Sequence, residues 1–142
     1  MKILVPVDGS RPSIAAVKFA IDQARAKAGT SLVMVNVQNV AALAVAEVAS
    51  FLPSGWVEQQ RQQRSEEALQ EAVSDCRDAG VTFTTRSEGG AIAATIDRVA
   101  REEGVAQIIM GTRGLGGVGG LLLGSVGTQI LHLSDVPVTF VR

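Results

Sequence analysis

A glycine-rich stretch at residues 108–128 holds the residues best suited to bind a ligand. An apolar Ile-Ile-Met run gives way there to eight glycines, and an apolar pattern with helical spacing follows. Glycine at this density costs conformational entropy, so a folded chain keeps it where the backbone bends sharply or approaches another group closely. A strand, a glycine loop and a helix that begins near Gly124 and Ser125 form an arrangement that binds phosphate through backbone N–H groups. A flexible surface loop is the alternative interpretation.

Three better-known phosphate-binding patterns do not match this chain. A Walker loop requires Gly-x4-Gly-Lys-Ser/Thr, whereas residues 119–125 supply Gly-x4-Gly-Ser without the lysine. A Rossmann Gly-x-Gly-x-x-Gly motif follows the first strand of its fold, but Asp8-Gly9-Ser10 stands at that place here. A receiver-type phosphoacceptor site needs a lysine near the last strand, and the last lysine of this chain is Lys27. The glycine loop therefore belongs to none of these three classes.

The remaining reactive side chains offer little chemistry. His132 stands alone in its part of the sequence, without a cysteine or an acid at metal-ligand spacing, so we expect it to pack rather than to react. Cys76 falls on the apolar face of a predicted helix and is expected to behave as a small buried hydrophobe. Trp56 begins the same helix and is expected to pack. We predict no catalytic residue, and the spacing of the side chains identifies no metal ligands.

Composition narrows the range of partners. The 142 residues suffice for one domain with a hydrophobic core, since 46% of them are apolar and 19% are charged. A net charge of −1 and scattered Lys and Arg residues argue against nucleic acid and membranes as partners. The single cysteine excludes an internal disulfide and suits a reducing compartment. Because no signal-peptide pattern and no membrane-spanning apolar run is visible, we expect a cytoplasmic protein.

Apolar periodicity predicts strands that alternate with helices. We predict strands at 2–7, 31–37, 81–85, 106–110 and 138–141, and helices at 11–28, 56–79, 91–103 and 124–133. Either Asp8 or Ser10 is available to cap the first helix. The alternation predicts one domain, residues 1–142, in which helices cover both faces of a parallel sheet. The apolar segment 39–55 fits a short helix, a lid over a ligand or a partner-facing surface.

One family combines these features. The chain resembles the universal stress proteins of the adenine-nucleotide-binding kind along nearly its whole length. The resemblance rests on Ile-Leu-Val-Pro-Val-Asp-Gly-Ser at 3–10, on Gly-x2-Gly-x9-Gly-Ser at 111–125 and on Val-Pro-Val-Thr-Phe-Val at 136–141. The spacing of the three glycines and the serine, together with the aspartate at the end of the first strand, makes the resemblance specific.

The resemblance implies a fold and an assembly. The expected fold is a five-stranded, doubly wound parallel sheet with strand order 3-2-1-4-5, Rossmann-like and of the adenine nucleotide alpha hydrolase-like type. In that order the winding reverses between strands 1 and 4, so Asp8 and Gly111 flank the crevice where such sheets bind ligands. The family also implies a homodimer through the last strand, residues 137–141. The apolar side chains of that edge strand favour the same conclusion.

The resemblance also assigns roles to residues around that crevice. Asp8 matches an acidic residue that accepts a hydrogen bond from the ribose or lies near a metal on the phosphates. Other matched positions line the adenine pocket or, at residue 37, contact the base through the backbone: Pro6, Val7, Val37 and Met110.

At the phosphate end, matched glycines let the loop bend so that its N–H groups face the phosphates, and matched residues begin the last helix: Gly111, Gly114, Gly124, Ser125 and Val126. Arg113 is the only cation in the loop, so neutralisation of a triphosphate would rely on Mg²⁺.

Three hypotheses about function follow. The first is a regulatory protein that binds ATP or AMP and responds to stress or metabolic state. The second is a slow ATPase or a phosphotransfer protein, although the crevice residues include no His, Lys or Glu as an obvious general base. The third is a dimeric stress protein that no longer binds nucleotide, and the intact glycine motif argues against it.

Overall fold

The computed structural model of the chain describes residues 1–39, 51–112 and 123–142. Within these ranges lie five strands and four helices: β1 (Lys2–Pro6), α1 (Arg11–Ala26), β2 (Ser31–Gln38), α2 (Trp56–Asp78), β3 (Phe83–Gly89), α3 (Ile92–Glu103), β4 (Gln107–Gly111), α4 (Ser125–Leu133) and β5 (Val138–Val141). Most of the apolar segment 39–55, together with Arg113 and Gly114, lies outside the described residues.

The strands form one parallel sheet in the order β3-β2-β1-β4-β5, which confirms the expected order. Strand β1 occupies the centre because both of its faces are apolar, and Ile3, Leu4 and Val5 are each 0% exposed. Complete burial of such a side chain contributes roughly 1.5–3 kcal/mol to stability. The middle of the sheet is therefore a rigid base from which the strand ends project.

Helices cover both faces of the sheet, as predicted, and each face has its own hydrophobic core. On one face, strand residues such as Val5 and Met34 pack with α1 and α2. On the other face, neighbouring strand residues such as Leu4 and Val35 pack with α3 and α4. Because side chains alternate along a strand, consecutive residues of one strand serve opposite cores.

Strand β3 differs from its prediction. It was predicted at 81–85, where the residues are more apolar, but it runs from Phe83 to Gly89 and lies at the sheet edge. The parallel register with β2, which pairs Leu32 with Phe83 and Gln38 with Gly89, determines these bounds. Backbone pairing with a buried neighbour thus outweighs the low hydrophobicity of the last residues of β3.

The polar residues of β3 are accommodated by an ion-pair cluster, which consists of Arg86, Glu88, Arg98, Glu102 and Glu103. Arg86 contacts Glu88 at 2.6 Å, Glu102 at 2.9 Å and Glu103 at 3.3 Å, while Arg98 contacts Glu88 at 2.9 Å. Burial would raise the pKa of Glu88, but hydrogen bonds from Arg98 and Arg86 outweigh it, and the pKa is lowered. The edge strand β3 therefore carries charged side chains that ion pairs hold in place.

Three side chains were expected to pack rather than to react: Cys76, His132 and Trp56. Cys76 is 0% exposed, its Sγ atom lies 3.8 Å from the sulfur of Met34, and burial raises its pKa to about 11. The prediction that it is a buried hydrophobe is therefore confirmed. His132 is exposed in the last turn of α4, and Trp56 is half-buried at the start of α2. No helix among the described residues is long and apolar enough to cross a membrane.

Candidate functional site

A crevice of about 420 Å³ opens at the carboxyl ends of β1 and β4, where the winding of the sheet reverses. Its volume falls within the range of about 300–1,000 Å³ that is typical of small-molecule sites. Nine of the predicted site residues line it: Pro6, Val7, Asp8, Val37, Met110, Gly111, Gly124, Ser125 and Val126. The other two predicted residues, Arg113 and Gly114, fall in the part of the chain that the structure does not describe.

The turn after β1 fixes Asp8 at the mouth of the crevice. The backbone N–H of Ser10 donates a hydrogen bond to Asp8 Oδ1 at 2.9 Å, and the Ser10 hydroxyl donates to the same oxygen. Gly9 allows this tight turn because its φ is +81°, a value that favours glycine. Ser10, rather than Asp8, is the N-cap of α1, and its Oγ atom accepts from Ser13 N–H at 3.4 Å. Asp8 therefore holds the cap in place and also lines the crevice.

Glycines on the opposite side of the crevice allow elements to approach closely. A Cβ atom at Gly111 would lie 2.6 Å from the carbonyl carbon of Pro12, so only glycine lets β4 end against the start of α1. A Cβ atom at Gly127, in α4, would lie 3.0 Å from Cε1 of Phe140 in β5. The sequence predicted Gly111 as a bending point of the loop, and the structure adds this packing role.

The N-terminus of α4 also lines the crevice. Gly124 is the N-cap, and its N–H donates to the carbonyl of Thr112 at 3.0 Å. The Thr112 N–H in turn donates to Val141 O at 2.9 Å, which ties the start of α4 to β5. Ser125 is the exposed first residue of the helix. The N–H groups of this first turn have no partner within the helix and carry the positive end of its dipole, so they favour an anion.

Apolar side chains form one wall of the crevice. Val35 and Val37 come from β2 and Met110 from β4, while Ile92 and Ile96 face them from α3. Such a wall suits a flat aromatic ring, because it removes apolar surface from water without requiring hydrogen bonds to the ring faces. The crevice thus has one acidic group, one helix N-terminus and one apolar wall.

A buried amide network at the end of β2 was not predicted. Asn36 is 2% exposed, and its Nδ2 atom donates to the carbonyl of Val7 at 2.7 Å. Its Oδ1 atom accepts from Ser65 Oγ at 2.9 Å and from Gln38 Nε2 at 2.7 Å. Asn36 and Gln38 both line the crevice. The sequence carried one signal for this network, since Asn36 is the only polar residue within the run 32–37.

Metal ligands are scarce in the described part of the site. Among residues 1–39, 51–112 and 123–142, no group of three His, Cys, Asp or Glu side chains is placed to hold a metal ion. Asp8 is the one carboxylate among the described residues that line the crevice.

An open, doubly wound parallel sheet with a crevice at its switch point defines the class of Rossmann-like α/β folds. Within that class, the sequence profile of the universal stress protein family matches residues 1–142. The chain belongs to the universal stress protein family.

Individual relatives agree with this assignment. Universal stress protein YxiE of Bacillus subtilis is 30% identical over 145 residues, which are 99% of this chain and 98% of that protein. The structure of universal stress protein UspA from Lactobacillus plantarum matches with a TM-score of 0.84 at 18% identity, covering 100% of this chain and 97% of that chain. At this identity the structural match supports the fold alone.

Two structures of the family contain an adenine nucleotide. A universal stress protein in complex with cAMP matches with a TM-score of 0.66 at 22% identity, covering 100% of this chain and 96% of that chain. A family member from Arabidopsis thaliana with AMP bound matches with a TM-score of 0.67 at 16% identity, covering 99% of this chain and 90% of that chain.

Proposed function

We propose that this protein binds an adenine nucleotide, AMP or ATP, in the crevice between β1 and β4 and acts as a regulatory stress protein. The observation that carries the proposal is the convergence of Asp8, an apolar wall and the N-terminus of α4 on one crevice. Those three parts match the ribose, the base and the phosphates of a nucleotide. The cAMP and AMP complexes of family members support the same class of ligand.

The base and the ribose occupy the half of the crevice nearest β1 and β2 in this proposal. The adenine ring packs against Val35 and Met110, and the backbone at Val37 contacts its edge. Pro6 and Val7 complete this pocket from the end of β1. The Asp8 carboxylate accepts hydrogen bonds from the ribose hydroxyls, an interaction stronger than one between neutral groups.

The phosphates occupy the half of the crevice nearest α4. The N–H groups of the first turn, which have no partner within the helix, and the hydroxyl of Ser125 donate to the phosphate oxygens. Gly124 has space around its Cα, because a Cβ there would meet only Thr112 O at 3.8 Å. Arg113 and Gly114 are proposed to contact the phosphates from the loop, as the family motif implies.

A triphosphate would also bring Mg²⁺ to the site. Mg²⁺ usually keeps several waters and is held by one or two carboxylates together with phosphate oxygens. With a triphosphate, Asp8 would lie near that ion instead of accepting from the ribose, since it is the one carboxylate among the described residues that line the crevice. The ion would neutralise phosphate charge there.

The direct test is to denature freshly purified protein, identify any released nucleotide by mass spectrometry, and titrate AMP and ATP by calorimetry with and without Mg²⁺. Ser125→Ala is expected to weaken binding by about tenfold or more, because it removes one hydrogen bond to a charged group. Ser74→Ala, an exposed serine on α2, is the matched control and should leave the affinity unchanged.

Two outcomes would change the conclusion. If no nucleotide is released and neither AMP nor ATP binds at millimolar concentration, the protein is a stress protein that does not bind nucleotide. If ATP is hydrolysed in a Mg²⁺-dependent reaction that Asp8→Ala abolishes, the protein is a slow ATPase rather than a nucleotide-binding regulator.

We further propose that the protein forms a homodimer through residues 137–141. Strand β5 is an edge strand, and its four residues are half-buried in the single chain. Leu131 and Leu133 on helix α4, which precedes β5 in the chain, are 51% and 47% exposed and add to the apolar surface of the single chain. Sedimentation that shows a monomer at micromolar concentration would contradict the proposal.

A further inference from the structure

We propose that Asn36 is a positioning residue for ribose binding, because through the carbonyl of Val7 it fixes the backbone from which Asp8 reaches the crevice. The proposal rests on the nucleotide site proposed above and concerns how that site holds its acidic group. Three sets of contacts support it. One acts on the peptide before Asp8, one on the glycine that follows it, and one on Asn36 itself.

The peptide unit between Val7 and Asp8 is fixed by hydrogen bonds to β2. The Val7 N–H donates to the carbonyl of Val35 at 2.8 Å, and the Val7 carbonyl accepts from Asn36 Nδ2 at 2.7 Å. A peptide bond is planar, so a bond that fixes the Val7 oxygen also fixes the N–H and the Cα of Asp8. Strand β1 ends at Pro6. The Asn36 side chain therefore supports the chain beyond the end of the strand.

The residue after Asp8 is held by helix α2. Gly9 has a φ of +81°, and a Cβ atom there would lie 3.4 Å from the Cα of Ala68. The backbone of the turn thus lies against α2. Because Ser10 hydrogen-bonds the Asp8 carboxylate within the same turn, the turn and its carboxylate are held as one unit. Asn36 fixes the direction in which this unit leaves β1.

Asn36 is itself fixed from α2. It is 2% exposed, and its Oδ1 atom accepts from the hydroxyl of Ser65, a residue of α2 that is 0% exposed, at 2.9 Å. If the amide turned over, Oδ1 would face the Val7 carbonyl, and neither oxygen could donate. Such an unpaired contact is costly in a buried place. Ser65 and Ala68 are three residues apart and share one face of α2, so this face supports the Asp8 turn at two points.

The position of the carboxylate decides how well it binds the ribose. A hydrogen bond weakens steeply when its angle departs from the preferred range, and Asp8 keeps its charge even when its backbone shifts. A variant of Asn36 should therefore lose ribose binding without losing the acidic group. Contacts to the base and to the phosphate are common to nucleotides with and without ribose hydroxyls, so a defect in those contacts cancels when two such ligands are compared.

The test compares AMP with 2′,3′-dideoxyadenosine 5′-monophosphate, which lacks both ribose hydroxyls. Calorimetry without Mg²⁺ gives both dissociation constants for wild type, for Asn36→Leu, for Ser65→Ala and for the control Ser74→Ala on the exposed face of α2. We expect wild type to prefer AMP by about tenfold or more, because the dideoxy ligand lacks hydrogen bonds to a charged group.

The variants should reduce this preference by different amounts. Asn36→Leu removes the bond to Val7 and is expected to lower the preference about fivefold, the equivalent of one neutral hydrogen bond. Ser65→Ala leaves that bond in place but loosens Asn36, so a reduction of about twofold is expected. Ser74→Ala should retain the full preference.

A benchmark variant separates positioning from general damage to the fold. Asp8→Ala should remove the preference for AMP, and adding Asn36→Leu to it should change the preference no further, because Asn36 acts through Asp8. If Asn36 only stabilises the fold, its replacement weakens both ligands equally and leaves the preference unchanged. Thermal unfolding verifies that each variant is folded, and Ser65→Ala alone decides if Asn36→Leu does not fold.

The failures can be told apart. If wild type binds neither ligand at millimolar concentration, the proposed function fails and this assignment fails with it. If wild type binds both ligands equally well, the nucleotide site stands, but the assignment to Asn36 is wrong because Asp8 does not bind the ribose. The assignment is also wrong if the folded variants of Asn36 and Ser65 keep the wild-type preference.

Discussion

The two sides of the crevice are built by different means. On the β1–β2 side, buried hydrogen bonds join strand ends to a helix, with Asn36 linking Val7, Ser65 and Gln38. On the β4–α4 side, the elements come together because side chains are missing, as at Gly111. The first side should therefore tolerate changes of shape better than changes of polarity. The second side should tolerate changes of polarity better than changes of volume.

The largest effect is expected from added volume on the β4–α4 side. In Gly111→Ala the new Cβ would lie 2.6 Å from the backbone of Pro12, and backbone cannot move aside as a side chain does. We expect a loss of about 3 kcal/mol in the free energy of unfolding, at the upper end for overpacking. Chemical denaturation measures it.

The matched control is Gly124→Ala at the other end of the same glycine-rich stretch. Gly124 has φ −60° and ψ 165°, values that alanine adopts, and a Cβ there has space. This variant should change the stability by no more than about 0.5 kcal/mol. Equal losses for the two variants would show that volume is not what distinguishes them.

The next largest effect is expected from lost polarity on the β1–β2 side. Asn36→Leu keeps the approximate size of the side chain but leaves the Val7 carbonyl and the Ser65 hydroxyl without partners in a buried site. We expect a loss of about 2 kcal/mol, measured by denaturation.

A double variant sharpens this prediction. Adding Ser65→Ala to Asn36→Leu removes one of the two unpaired groups, so the pair should cost less than the sum of the single variants. Strictly additive losses would mean that Ser65 and Asn36 do not act as one network.

The smallest effect on the free energy of unfolding is expected for Gly127→Ala, because a gain in helix stability opposes a steric clash. Alanine improves the helix by about 0.5–1 kcal/mol, but its Cβ would lie 3.0 Å from the ring of Phe140. We expect the net change in wild type to be within about 0.5 kcal/mol, because the clash offsets the helix gain.

Replacing the Phe140 ring separates the gain in helix stability from the steric clash. In a Phe140→Leu background, Gly127→Ala should stabilise the protein by about 0.5–1 kcal/mol. The same change in both backgrounds would show that Phe140 does not restrict this position.

Sequence patterns predicted where each strand begins and ends better than which elements lie side by side. The predicted bounds of β5 match those observed, and β1 and β4 differ from prediction by about one residue. The end of β3 was missed because Arg86 and Glu88 are polar. Backbone pairing with β2 and ion pairs with α3 together account for their place in a strand. The strand order followed from the family resemblance, since periodicity alone does not order strands.

The same contrast between local patterns and contacts distant in sequence applies to the candidate site. Asp8 and Ser125 were predicted because their motifs are local, and the structure brings both to the crevice. Asn36 was missed because its importance comes from Val7 and Ser65, which are distant in sequence. The packing role of Gly111 depends on Pro12, which no pattern within the glycine-rich stretch can reveal.

The charge carried by β3 has a consequence for how many chains can assemble. An open sheet has two edges, and a protein whose edges both accept a strand can add copies without limit. The strand at one edge, β3, carries the charged residues Arg86 and Glu88, whereas β5 at the other edge carries Val138 and Phe140. If chains pair through β5, as proposed, only one edge of each sheet takes part, and that association would end at two chains rather than extend into a filament.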